Sequence, residues 1–111
     1  MKRYSSSDVT VYVPITIIEK TRGILFQEDL LNNGCMLFTH CNWVHSFFLK
    51  NPIKLYFLDR SLGVVRIVAD FSPNRLSPIV FNASYTVETA IDFDLLHIEN
   101  FPSHFKQALR T

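Results

Sequence analysis

Between Ile53 and Ala69 the chain reads IKLYFLDRSLGVVRIVA, two apolar runs joined by a short polar turn, and this stretch constrains the fold more than any other. In the first run Ile53, Leu55 and Phe57 share one face of a strand, while Lys54, Tyr56 and Leu58 share the other. Arg60-Ser61-Leu62-Gly63 is a tight connection in which Gly63 is expected to supply a positive φ. Val64 to Ala69 returns as an almost wholly apolar strand, interrupted by Arg66. Strands apolar on both faces need cover on both faces, so this hairpin is expected at the centre of a sheet.

The rest of the chain supplies partners for it. Val9, Val11, Val13, Ile15 and Ile17 alternate with polar residues at a period of two, and Pro14 predicts that this strand lies at an edge or a bulge. Residues 1–7 are polar and expected to fray. Glu19 to Leu31 suits a short helix, Asn32-Asn33-Gly34 a turn and Cys35 to Phe38 a short buried strand. Val44 to Lys50 reads as a strand stopped by Asn51-Pro52. Asp70 to Pro78 is loop-like, with strands expected at Ile79 to Phe81 and Ser84 to Ala90. Asp92 is expected to cap a helical turn ended by Phe101-Pro102, and Ser103 a terminal helix through Arg110. About seven short strands predict an all-β (mainly β) domain, a sandwich or barrel with one or two short helices.

A length of 111 residues predicts one domain, and 48% apolar residues with ten phenylalanines can fill a core without metal or disulfide staples. Eleven basic and ten acidic residues leave a net charge of +1, which argues against nucleic-acid binding driven by bulk charge. No apolar run approaches the ~20 residues of a membrane span, and no signal-peptide pattern is seen, so a cytoplasmic protein, monomer or weak dimer, is the default expectation. Cys35 and Cys41 are too few for a disulfide framework, although an oxidising compartment would let them pair.

Cys35, His40, Cys41 and His45 lie close in sequence and are zinc-ligand types, but their spacing fits no standard finger, and His40 and Cys41 would point opposite ways on a strand. No metal or cofactor is expected. An enzyme would use Cys41 as nucleophile and His45 as base, with Glu88 or Asp59 orienting the imidazole. The aromatic residues Trp43, Phe47, Phe48, Tyr56, Phe57 and Phe71 are expected mainly in the core. Asn82-Ala83-Ser84 matches a glycosylation sequon by pattern alone.

The order VHSFFLKNPIKLYFLDR, then VVRIV and LSP, resembles the bacterial and archaeal domain of unknown function family 192. Gly23-Ile24-Leu25, Gly34-Cys35-Met36-Leu37-Phe38, His45 to Lys50, Pro52-Ile53-Lys54 and Val87-Glu88-Thr89 carry the resemblance, over roughly residues 9–98. It implies a compact, jelly-roll-like β-sandwich with no defined activity. The chain departs from the family pattern in Lys54, where Asp is usual, in Leu49, where Met is usual, and in lacking the late Gly-Asp turn and final strand. The expected role is a small non-enzymatic binding module for a small ligand or protein partner. His45, Lys50, Asn51, Arg75 and Glu88 are its candidate binding residues.

Overall fold

The structure is a computed structural model that describes residues 1–16, 20, 31–32, 34–47 and 49–110. Six strands, β1 (Lys2–Ser5), β2 (Thr10–Val13), β3 (Gly34–Thr39), β4 (Ile53–Leu58), β5 (Val64–Phe71) and β6 (Tyr85–Thr89), form one sheet in the order β1-β2-β3-β6-β4-β5. All neighbours are antiparallel except β2 and β3. A 3-10 turn (Leu95–His97) and a helix, α1 (Phe101–Arg110), follow β6. The fold is β-rich and of the sandwich-like class, but the sheet does not close into a barrel. The helix expected over Glu19 to Leu31 lies almost wholly outside the described residues.

Both faces of the sheet are covered. On one, Val11, Val13, Leu37, Tyr56, Leu58 and Val87 pack with Leu95, Phe105 and Ala108 from the 3-10 turn and α1. On the other, Met36, Phe38, Leu55, Phe57 and Phe71 pack with Leu49 and Val80 from the connecting segments. The alternation read in β4 therefore assigns Ile53, Leu55 and Phe57 to the loop side and Tyr56 and Leu58 to the helix side. Five residues of β4 are buried, whereas β5 is an edge strand with Arg66, Ile67, Ala69 and Asp70 exposed. Only half of the hairpin is central. The register between β4 and β5 slips at two places, each inserting an extra residue on β5, and such bulges discourage an edge from pairing further.

Several local expectations change. Residues 2–5 are not frayed: Lys2 Nζ donates to the Leu109 carbonyl, and the Tyr4 hydroxyl meets His104 Nδ1, so α1 ties β1 down. This also makes β2 an interior strand, with Pro14 buried just beyond its end. In the hairpin turn the left-handed residue is Leu62 (φ 70°), not Gly63. Burying the Leu62 side chain offsets the backbone cost, while Asp59 Oδ1 accepts from Ser61 and Gly63 N–H. Asp94 rather than Asp92 caps the 3-10 turn, accepting from Leu96 N–H. Pro102 begins α1 instead of ending an element, as its missing N–H permits in a first turn, and Ser103 lies inside the helix. Ile79 to Phe81 is loop, not strand.

Gly34 is required where it stands. An added Cβ would run into the Thr10 carbonyl oxygen across the parallel β2–β3 pair.

Candidate functional site

The strand expected over Val44 to Lys50 is not found among the described residues of that stretch: residues 44–47 make a single bridge, His45 to Leu76, and otherwise irregular bonds to the loop after β5. The cause is Ser46, which is fully buried. Its hydroxyl donates to the Ser72 carbonyl and accepts from Arg75 N–H (3.0 Å). Its own N–H donates to the Arg75 carbonyl (2.9 Å), and its carbonyl accepts from Asn74 and Leu49 N–H. Local side-chain bonds of this kind replace the strand ladder.

Ser77 repeats the device on the opposite segment. Its hydroxyl accepts from Val44 N–H (2.9 Å), and its N–H donates to the Val44 carbonyl (2.8 Å). Val80 N–H adds a bond to the Asn42 carbonyl (3.0 Å). Asn74 takes the left-handed conformation (φ 61°) that asparagine tolerates. The two connections thus run antiparallel as a short irregular ribbon across the loop-side core.

Ser46, Ser77 and Val80 point inward, and Trp43, Phe47, Leu76 and Ile79 are exposed. The His45 ring stacks on Phe47 (centroids 4.9 Å apart), and its Nδ1 accepts from Phe47 N–H (3.3 Å). Phe81 stands at a turn closed by Ala83 N–H to the Val80 carbonyl and is 87% exposed. Of the aromatics expected in the core, Tyr56, Phe57 and Phe71 are buried, but Trp43 (48% exposed) and Phe47 are not; Phe48 lies outside the described residues.

The candidate residues divide. His45 and Arg75 both lie on the ribbon, His45 bridging to Leu76, and Arg75 with its side chain exposed and its backbone held by Ser46. Lys50 and Asn51 are exposed in the bend leading to β4. Glu88 is elsewhere: on β6, opposite Met36 and Leu55, it is buried inside the loop-side core beneath the ribbon. Burial pushes its carboxyl up to about 8. Lys54 is carried to the helix side of the sheet, where Nζ donates to the Phe93 carbonyl (2.7 Å) next to the Tyr56 hydroxyl, which donates to the same oxygen. It anchors the chain leaving β6, a task no carboxylate could do at that carbonyl.

The cysteine readings fare differently. Cys35 belongs to the helix-side core and Cys41 to the loop-side core, and both are free thiols. Burial pushes Cys35 up to about 12. Cys41 is also raised, chiefly by burial, with Glu88 adding to it and the bonds to Thr86 and the Trp43 carbonyl and the charge of Lys20 opposing it. Its thiol donates to the Trp43 carbonyl (3.2 Å) rather than to an imidazole. Asp59, offered as an orienting group, is engaged in the hairpin turn. An activated thiolate needs a lowered pKa, so this environment does not prepare Cys41 for attack. No group of three or more His, Cys, Asp or Glu among the described residues is arranged to hold a metal ion.

The family model DUF192, described as "Uncharacterized ACR", matches residues 2–95. The chain belongs to this family. The matched region starts at β1 and ends at the 3-10 turn, so it takes in the whole sheet and the ribbon and leaves α1 outside. Two solved structures are similar to it. One is a protein of unknown function from Novosphingobium aromaticivorans (TM-score 0.62, 16% identity, covering 79% of this chain and 70% of that one). Another, from Sinorhizobium meliloti, is described as a candidate transcription regulator (TM-score 0.61, 15% identity, covering 80% and 77%). At these identities the likeness is one of fold. No curated protein matches the sequence. Nothing in the family, the similar structures or the geometry supplies evidence of catalysis.

The ribbon was not legible as a site in the sequence. Two of its outward residues, Trp43 and Phe47, looked like core aromatics, and the two serines that hold it resemble ordinary loop serines. The one available signal was the pairing of SFFLKNP with SPNRLSP, two serine- and proline-bounded segments without a single carboxylate.

Proposed function

We propose that the protein is a small non-enzymatic binding module whose binding face is the outer surface of the ribbon, with Trp43, Phe47, Leu76, Ile79 and Phe81 as the apolar contacts. The observation that carries this is the combination of exposed large apolar side chains with a backbone pinned from below by Ser46 and Ser77. Exposed apolar clusters mark interaction sites, and a face already ordered loses little entropy when a partner docks. His45, Lys50, Asn51 and Arg75 supply polar contacts at or beside this face. Glu88 contributes from below, by its position in the core under the ribbon, rather than by touching a partner.

The test uses tagged protein as bait, comparing wild type with Trp43→Ser/Phe81→Ser and with Lys50→Ala/Arg75→Ala. Both double variants change exposed positions, so their thermal melts should match wild type while capture of wild-type partners falls. Undiminished capture by both variants would show that the binding face lies elsewhere.

A further inference from the structure

Glu88 lies in the core beneath the ribbon, 3% exposed, and among the described residues no hydrogen-bond donor or ion-pair partner engages its carboxyl. A buried carboxyl in that position is tolerated while it is protonated, and needs water or a partner once it ionises. The walls around it differ in how they can supply one. Met36 on β3 and Leu55 on β4 stand opposite it in the ladder and are fully buried. Parting either strand from β6 would break ladder bonds.

The roof is fastened differently. The two segments of the ribbon are bonded to each other, Val80 to Asn42, Ser77 to Val44 and Arg75 to Ser46. Among the described residues, the hydrogen bonds that fasten the ribbon to the sheet gather at one end. There Thr86 Oγ1 donates to the Cys41 carbonyl (2.9 Å), Cys41 N–H to the Ser84 carbonyl (3.1 Å) and Ser84 N–H to the Leu58 carbonyl (2.8 Å). Beyond that end the ribbon rests on the sheet through the apolar side chains of Val44, Leu49 and Val80. Lifting it as a unit keeps its internal bonds and gives up the few at Cys41, so this wall yields at the least cost.

The groups that face Glu88 are few. Those of β3 and β4 are apolar. From the ribbon, the Cys41 thiol is close enough to be raised by Glu88, and the Lys20 ammonium acts on the same thiol in the opposite sense. His40, Lys50 and Arg75 are exposed, and the His45 ring lies against Phe47.

We propose that the ribbon is a proton-controlled flap, seated while Glu88 carries its proton and lifted when the carboxyl ionises, which gives up the bonds at Cys41 and uncovers its thiol. The seated form holds the proton, so a rise in pH favours the lifted form and a fall restores the seat. With the carboxyl pushed up to about 8 by burial, lifting belongs to mildly alkaline conditions. Where the ribbon is also the binding face, the proton sets when that face is presented; this consequence rests on the function proposed above, and the flap itself does not.

The test is the rate at which N-ethylmaleimide labels Cys41 in the full chain, read by peptide mass spectrometry, for wild type and Glu88→Gln between about pH 6 and about pH 8. A thiol below its pKa gains about tenfold in thiolate per pH unit, and lifting with loss of one proton adds about tenfold more. Labelling of wild-type Cys41 should therefore climb about a hundredfold per pH unit, and that of the variant about tenfold. Charge alone predicts the reverse order: glutamine removes the negative neighbour that raises Cys41, so under a fixed ribbon the variant would label faster. Cys35 sits in the helix-side core and should stay unlabelled throughout, since it reports opening of the whole domain.

A wild-type climb of only about tenfold per pH unit would overturn the flap by itself, whatever the variant does. Faster labelling of the variant would overturn it too, as would labelling of Cys35 in step with Cys41. Bait capture by the Trp43→Ser/Phe81→Ser protein decides the binding-face reading separately, so either can fall without the other.

Discussion

Replacing Glu88 by glutamine should make the protein more stable at mildly alkaline pH and remove a pH dependence that wild type carries. In the folded state the carboxyl lies opposite Met36 and Leu55, is 3% exposed, and is pushed up to about 8 by burial. Unfolded, it returns toward the ordinary 4.5. Between these values the folded state holds a proton that the unfolded state has released, so stability falls as pH rises through this window. The contribution is fully present below the unfolded value and lost as pH passes the folded one. A separation of about 3.5 pH units, at about 1.4 kcal/mol each, sets a ceiling of roughly 5 kcal/mol; relaxation of the core around the anion would bring the realised loss to about half of that. Glutamine is close in shape and never ionises. Urea melts of the two proteins should therefore differ by about 2 kcal/mol or more in favour of the variant at about pH 8, and converge near about pH 5. Parallel stability curves across that range would refute the reasoning, because they would mean that the carboxyl ionises in the folded protein at no cost.

Other outcomes follow from the same geometry. Ser46→Ala removes one donor and one acceptor from a buried hub and strands the Arg75 N–H and Ser72 carbonyl, which should cost roughly 2–3 kcal/mol in a denaturant melt and broaden amide signals in both ribbon segments. Gly34→Ala forces β2 and β3 apart at the Thr10 carbonyl, so a loss of about 2 kcal/mol or more is expected, against a gain of about 0.5 kcal/mol for an alanine replacing a glycine in unstrained strand. Lys54→Asp should destabilise by about 1–2 kcal/mol, because the Phe93 carbonyl loses a donor and gains a negative neighbour. Alkylation of both thiols in the folded protein should be slow at neutral pH, with Cys35 reacting only on unfolding; rapid single-site labelling of Cys41 would revive a nucleophilic role.

The elements that carry strong periodicity were legible. The two faces of β4 and the buried run of β3 follow from alternation and apolar content, because sheet burial acts on side chains at a fixed period. The place of β5 was not, since an edge strand and a central strand can share one composition, and what separates them is which neighbour arrives from far along the chain. β1 was missed for the same reason: four polar residues make a strand only because β2 and α1 are there to receive them. In the turn after β4, Gly63 was the obvious left-handed residue, yet burial of Leu62 decided the matter.

The site was harder to read than the fold. His45 and Arg75 were named, and the ribbon does bring their segments together, but of the residues that make it a surface, Trp43 and Phe47 looked like core and Phe81 like the end of a strand. An aromatic residue carries the same sequence signal whether it faces in or out. Here the choice was made by Ser46 and Ser77, whose hydroxyls turn the backbone so that small polar groups point inward and rings point out. Lys54 shows the converse: a charge in a prominent motif that belongs to the scaffold.

Amide hydrogen exchange of the free protein tests most directly whether the two connections form one rigid face. The N–H groups of Val44, Ser46, Arg75, Ser77 and Val80 all donate within the ribbon and should exchange as slowly as those of β4. Exchange at the rate of an open loop in those five, with β4 still protected, would contradict a preformed face.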